Sequence, residues 1–102
     1  MTMYRKRIIT LISETYTQDA IGQTDTHEHD TEVIAQVDSV SQSEFFEAGQ
    51  VGIVPDYRFT LNKYAYSGEK IVEYDGNRYG IYRTYEASPY TIELYASRKD
   101  GI

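Results

Sequence analysis

From Thr31 to Tyr82 apolar and polar residues alternate in short runs with a period of two, and this restricts the chain to half-buried β-strands. Val33, Ala35 and Val37 fall on one side of a strand, opposite Glu32, Ile34, Gln36 and Asp38. Tyr57, Phe59 and Leu61 repeat the pattern against Arg58, Thr60 and Asn62. Lys70 to Tyr74 and Arg78 to Tyr82 flank Asp75-Gly76-Asn77, which accommodates the positive backbone angles of a primed hairpin turn. Val72, Tyr74, Tyr79 and Ile81 then share one face. A last strand, Tyr90 to Ser97, opens after Pro89 and alternates Ile92, Leu94 and Ala96 with Thr91, Glu93 and Tyr95. Ahead of these, Arg7 to Thr17 is a strand expected to be covered on both faces at Ile8, Ile9, Leu11 and Ile12. Gln18 to Asp30 reads as a polar hairpin loop or a frayed continuation of the strands around it.

One helix interrupts this series. Ser41-Gln42-Ser43-Glu44 has the form of a capping box, in which the Ser41 hydroxyl accepts from the Glu44 amide and the Glu44 carboxylate returns to the Ser41 amide. Val40 and Phe45 occupy the staple positions, and Gly49 is expected to stop the helix after about two turns. So short a helix is not stable alone in water, so Phe45 and Phe46 are expected to anchor it on the sheet or on another subunit. Six short strands with a helix between the second and third predict an all-β fold, a small and mostly antiparallel barrel. Residues 1–102 form a single domain.

Without cysteine the fold must hold by packing, which suits a reducing cytoplasm. Ile8, Ile9, Leu11 and Ile12 are too few to cross a bilayer, so neither a membrane span nor a signal peptide is expected. The net charge is −6, and no lysine or arginine occurs from Ile8 to Tyr57, whereas Arg5, Lys6, Arg7, Lys99 and others cluster towards the ends. An acidic domain is a poor tight binder of nucleic acid. The segregation suits copies that meet acidic face to basic face. Of eleven tyrosines, Tyr64, Tyr66, Tyr82 and Tyr85 are candidates for a partner-facing surface.

Three stretches in this order resemble the head-closure, or head–tail joining, proteins of tailed bacteriophages. They are Thr15-Tyr16-Thr17-Gln18-Asp19, the strand Val33 to Val37 leading into Ser41 to Gln50, and the hairpin Val72 to Ile81. The likeness covers nearly the whole chain. Two departures are Ile34, where the family commonly has tryptophan, and the acidic stretch with His27 and His29. The resemblance implies a structural protein of the virion, assembled in the host cytoplasm and placed at the head–tail junction. It implies a self-associated ring of about twelve copies below the portal and adaptor proteins. Such a ring closes the DNA-filled head and docks the tail. Double-stranded DNA would pass without tight binding, because a duplex with about one charge per 1.7 Å is repelled by Asp and Glu. On this reading the segment from Val40 to Pro55 is the movable part of the channel. Asp38, Glu44 and Glu47 supply charge, Ser41 supplies the helix cap, and Gly49 and Gly52 supply hinges.

Sharper chemistry finds little material. His27 and His29 share a face of an extended chain and are the only candidates for a metal, yet a third histidine and cysteine are lacking, so a solvated loop is expected. The serines have no nucleophile elbow and no Gly-rich phosphate loop occurs. No enzyme and no cofactor are expected. The alternative is a small-barrel binding module in which Tyr64, Tyr66, Tyr82 and Tyr85 stack single-stranded bases or hold a peptide.

Overall fold

The computed structural model describes residues 6–98, so Arg5 and Lys99 of the charge pattern lie outside the described residues. The strands are β1 (Lys6–Gln18), β2 (Thr24–Asp38), β3 (Tyr57–Asn62), β4 (Ile71–Tyr74), β5 (Asn77–Ser88) and β6 (Thr91–Arg98). Helix α1 (Gln42–Gly49) lies between β2 and β3, and a 3-10 turn (Lys63–Ala65) follows β3. The strands close a barrel in the order β1-β2-β3-β6-β5-β4, with every neighbour antiparallel. The all-β barrel with its helix between the second and third strands is thus observed.

The alternation read in the sequence selects the barrel interior. Ile9 and Leu11, Ala35 and Val37, Phe59 and Leu61, Val72, Tyr79, and Ile92, Leu94 and Ala96 form one buried cluster, with Tyr74 and Ile81 packed against it. Phe59, wholly buried, sits among Tyr57, Tyr74 and Tyr79 at ring separations of 5.8, 5.8 and 6.4 Å. Aromatic pairs at such tilted and edge-on contacts add to the burial of their area. Several tyrosines of the second half are therefore core residues. The β4–β5 hairpin turns at Asp75 and Gly76, with φ of 52° and 80°, pairing Tyr74 with Asn77 as a primed turn requires.

The first strand departs from expectation at one position. Ile9, Leu11 and Ile12 are buried, but Ile8 is exposed beside its register partner Ile34, also exposed. Covering of both faces holds at Ile12, next to buried Ile71 of β4, because β4 pairs with β1 only from Thr10 to Ile12.

Gln18 to Asp30 continues the strands. β1 and β2 pair through thirteen consecutive positions, from Lys6↔Gln36 to Gln18↔Thr24, without a bulge. Residues 14–32 of this ribbon are all exposed, and the molecule measures 58 × 30 × 27 Å because the ribbon projects from the barrel. Its tip is closed by the Asp19 carboxylate, which accepts from the Ile21 and Gln23 amides at 3.0 and 2.8 Å, with Gly22 at φ 90°.

One tie directs the arm. Arg78 of β5 donates through Nη1 and Nη2 to both Glu28 oxygens at 2.8 and 3.1 Å, and its Nε reaches Glu73 at 3.4 Å. The guanidinium's hydrogen bonds and charge hold the Glu28 carboxyl below its ordinary value. Because this network is solvent-exposed, it orients the ribbon more than it stabilises the barrel. Arg78→Ala is expected to shift the melting temperature by no more than about 2 °C while amide exchange across residues 14–32 accelerates. Unchanged exchange would mean that the ribbon holds its direction without the tie.

Candidate functional site

The segment between β2 and β3 carries most of the candidate residues, and its attachment begins with the helix cap. The Ser41 hydroxyl accepts from the Glu44 amide at 3.2 Å, as the capping box requires. The return bond is replaced. The Glu44 carboxylate turns instead to β5, where the Tyr82 hydroxyl donates to it at 2.7 Å and the Arg83 guanidinium pairs with it.

Two consecutive residues of a regular strand point to opposite faces, so Tyr82 and Arg83 could not both reach Glu44 from unbroken β5. The register shows how they do: Ile81 faces Ala96 and Arg83 faces Tyr95, so Tyr82 is the extra residue of a β-bulge. Ile81 remains directed to the core, while Tyr82 and Arg83 both reach the outer carboxylate. Tyr95 completes the arrangement. The Arg83 guanidinium lies 4.1 Å from the centre of its ring, and the Tyr95 hydroxyl donates to Glu93 at 2.6 Å.

This cluster overturns the expectation for Glu44 and removes one of the two anchors expected for Phe45 and Phe46, the barrel. Glu44 was expected to supply charge to the channel, yet it is only 7% exposed and ion-paired. Burial pushes its carboxyl upward, but the Arg83 and Tyr82 hydrogen bonds and the Arg83 charge prevail and hold it below the ordinary 4.5. Burial, followed by the Glu44 carboxylate, raises the Tyr82 hydroxyl, so Tyr82 stays a donor. The side of the helix that packs is therefore Glu44 and Ala48, one turn apart. Phe45 and Phe46 do not anchor it on the barrel: they are 47% and 62% exposed. A buried glutamate displaces them because its carboxylate finds two donors on the bulged strand, whereas the phenylalanines lie on other sides of a helix that touches the barrel with one.

The remaining candidates are distributed around this junction. Asp38 pairs with Arg58 at 3.5 Å, and Glu47 is exposed. Gly49 is still helical, and the chain leaves the helix through Gln50, with positive φ at Gly52, 83°. Val51 and Val54 beyond it are exposed. Tyr64 and Tyr85 are exposed, whereas the Tyr66 hydroxyl donates to the Glu69 carbonyl at 2.7 Å. Tyr66 and Tyr82 line a cleft of about 370 Å³ with Lys70 and Arg83.

His27 and His29 sit on the ribbon, facing Thr15 and Ser13 across the ladder. Thr17 Oγ1 is 3.4 Å from His27 Nε2 and Thr15 Oγ1 is 3.3 Å from His29 Nε2. Among the described residues, no three His, Cys, Asp or Glu side chains gather as a metal would require. The residue that sequence reasoning missed is Arg83. Its signal was the polar pair Arg83-Thr84 where core alternation ends, but the bulge that gives it meaning is not encoded by a glycine or proline.

No family model matches the chain, and comparison with curated proteins finds no match.

Proposed function

We propose that this protein is a structural connector subunit of a tailed-phage particle, a non-enzymatic ring component that closes the filled head and receives the tail. The observation that carries this reading is the apolar exposure of the segment between β2 and β3: Phe45, Phe46, Val51 and Val54 stand in solvent on a helix that packs through Glu44 and Ala48 and on the loop after it. A barrel that has closed its own core has no need of such a surface, and exposed apolar stretches of this kind mark association sites. The projecting ribbon gives the subunit a second element that reaches beyond its own body. Both suit a part completed by neighbours, and the resemblance of the three sequence stretches supplies the class of assembly.

In this reading the segment from Val40 to Pro55 moves as the closure opens, pivoting at Gly52, while the Glu44 contact keeps one end fixed. Charge facing the passing duplex comes from Glu47 and from the acids of the ribbon, because Asp38 and Glu44 are neutralised by Arg58 and Arg83. The chain is expected to be monomeric at micromolar concentration in light scattering and to form a ring only on its partner ring, since a small interface repeated around a ring gains by avidity.

The experiment is to assemble particles without the protein. DNA-filled heads that lose their DNA and carry no tails are the expected result, and tailed particles that retain DNA would overturn the proposal. Paired cysteines at Gln42 and Val51 of adjacent subunits test the movement. Val51 is chosen because the positive φ of Gly52 disfavours any side chain there. Crosslinking should differ between full and emptied particles; equal crosslinking would leave a static ring.

A further inference from the structure

The β2 side of the projecting ribbon is an open sheet edge. The ladder from β2 to β3 covers only Gln36, Val37 and Asp38, so among the described residues Thr24 to Ala35 pair with β1 alone. The Asp19 amide donates to the Gln23 carbonyl at the tip, which fixes the alternation of the β1–β2 ladder. It leaves the main-chain groups of Thr24, Thr26, Glu28, Asp30, Glu32 and Ile34 directed to the open side. Native edges are protected by charged side chains, lysine above all, and by proline, a bulge or shortness, and the charge on this edge is acidic. From Thr24 to Ala35 there is no lysine, arginine, proline or glycine, and the register is unbroken. An isolated two-stranded ribbon is marginal in water, and a third strand is what would secure it.

The base of this edge has a shaped end. Beyond the last β2–β3 pair, Gln36↔Thr60, a groove of about 470 Å³ opens between the two strands, lined by Ile8, Glu32, Val33, Ile34, Asn62 and Ala65. Ile8 and Ile34, direct register partners, present apolar side chains to it. Side chains two residues apart along a strand share a face. Ile34 is therefore followed towards the tip by Glu32, Asp30 and Glu28. Glu28 already holds the Arg78 guanidinium in two hydrogen bonds, while Asp30 and Glu32 are exposed and have no ion pair among the described residues.

We propose that this edge is a β-augmentation site for an extended segment of a partner protein in which an apolar residue is followed at alternate positions by lysine or arginine. The segment adds a third strand to the ribbon by main-chain hydrogen bonds. Its apolar residue fills the groove at Ile8 and Ile34, and its two basic side chains lie across from Glu32 and Asp30, where opposite charges on facing strands attract. The charge also selects against a second copy of the ribbon. Edge-to-edge pairing of two ribbons would set Asp and Glu against Asp and Glu, with no lysine or arginine between Thr24 and Ala35 on either. This inference does not rest on the connector reading.

The test uses the protein as it stands and the blocked peptide Ac-TITKTKT-amide. Titration followed by amide NMR shifts should move resonances of residues 24–35 and of the 62–65 turn and slow exchange along the edge. The acidic counterpart Ac-TITETET-amide should bind about tenfold or more weakly, as should the lysine peptide to the doubly substituted Asp30→Lys, Glu32→Lys protein. Methylating alternate backbone nitrogens of the peptide should abolish the shifts, because it removes the ladder donors while keeping the charge. Equal binding of the lysine and acidic peptides, survival of binding after methylation, shifts confined to other surfaces, or no shift at millimolar peptide would each overturn the proposal. The exposed Asp30 and Glu32 positions leave the barrel core untouched, so loss of binding in that variant reports on the edge. A positive result with particles that assemble normally without the protein would separate this site from the connector reading.

Discussion

Phe59→Ala should be the most damaging single substitution in this chain, lowering stability by about 3 to 5 kcal/mol. The side chain is wholly buried, contacts three tyrosine rings, and lies on β3 between β2 and β6, so the barrel has no free side from which to collapse into the void. A domain of this length has about 5 to 15 kcal/mol in total, so the variant would be partly unfolded at 37 °C or close to it. Chemical denaturation followed by circular dichroism measures the loss. Phe46→Ala supplies the contrast. With 62% of the residue exposed, it should change stability by about 1 kcal/mol or less, and on the proposed connector reading its effect should appear in assembly. If Phe46→Ala proved as severe as Phe59→Ala in the isolated protein, the helix would have to pack on a side other than Glu44 and Ala48.

The second large effect concerns the link between helix and barrel. Glu44→Ala leaves the Tyr82 hydroxyl and the Arg83 guanidinium without their shared acceptor. Hydrogen bonds to a charged group are worth about 1.5 to 3 kcal/mol, and because Arg83 is 43% exposed and can turn to water, the lower half of that range is expected. The loss should be local, with amide protection falling in α1 and persisting in β3 and β6.

The pH dependence has a definite sign. The folded Glu44 carboxyl lies below the ordinary 4.5, so the folded state holds its proton less tightly than the unfolded chain. The contribution is complete above about pH 4.5 and disappears as the pH falls through the folded value. Glu28, held low by Arg78, acts in the same window. The difference between wild type and Glu44→Gln therefore isolates Glu44: their stabilities should converge as the pH falls below the ordinary carboxylate range and through the folded value. A gap that stayed constant from pH 7 to pH 3 would show that the carboxylate charge is not what holds the helix.

Much of the fold was legible because a period of two leaves few choices. Val33, Ala35 and Val37, Tyr57, Phe59 and Leu61, and Ile92, Leu94 and Ala96 went where alternation sends them, since each strand had one face to bury. Asp75-Gly76 closed its hairpin because positive φ there is a local property. Ser41 capped its helix for the same kind of reason, since the bond it accepts lies within one turn.

The strands, the single helix between β2 and β3, and the inward residues of the barrel could thus be read from the residues in order. These depend on spacing along the chain. The tertiary structure decided which side of α1 packs, that Glu44 is buried while Phe45 and Phe46 are exposed, and that residues 14–32 stand out as a ribbon with an open edge. Those outcomes depend on partners distant in sequence: Glu44 meets Tyr82 and Arg83 only because β5 is bulged against β6, and β2 loses its neighbour where its ladder with β3 ends, at Gln36↔Thr60. A bulge is chosen by how two strands fit one another, and an edge is left open by where a third strand ends, so neither can be expressed in the local pattern of one strand.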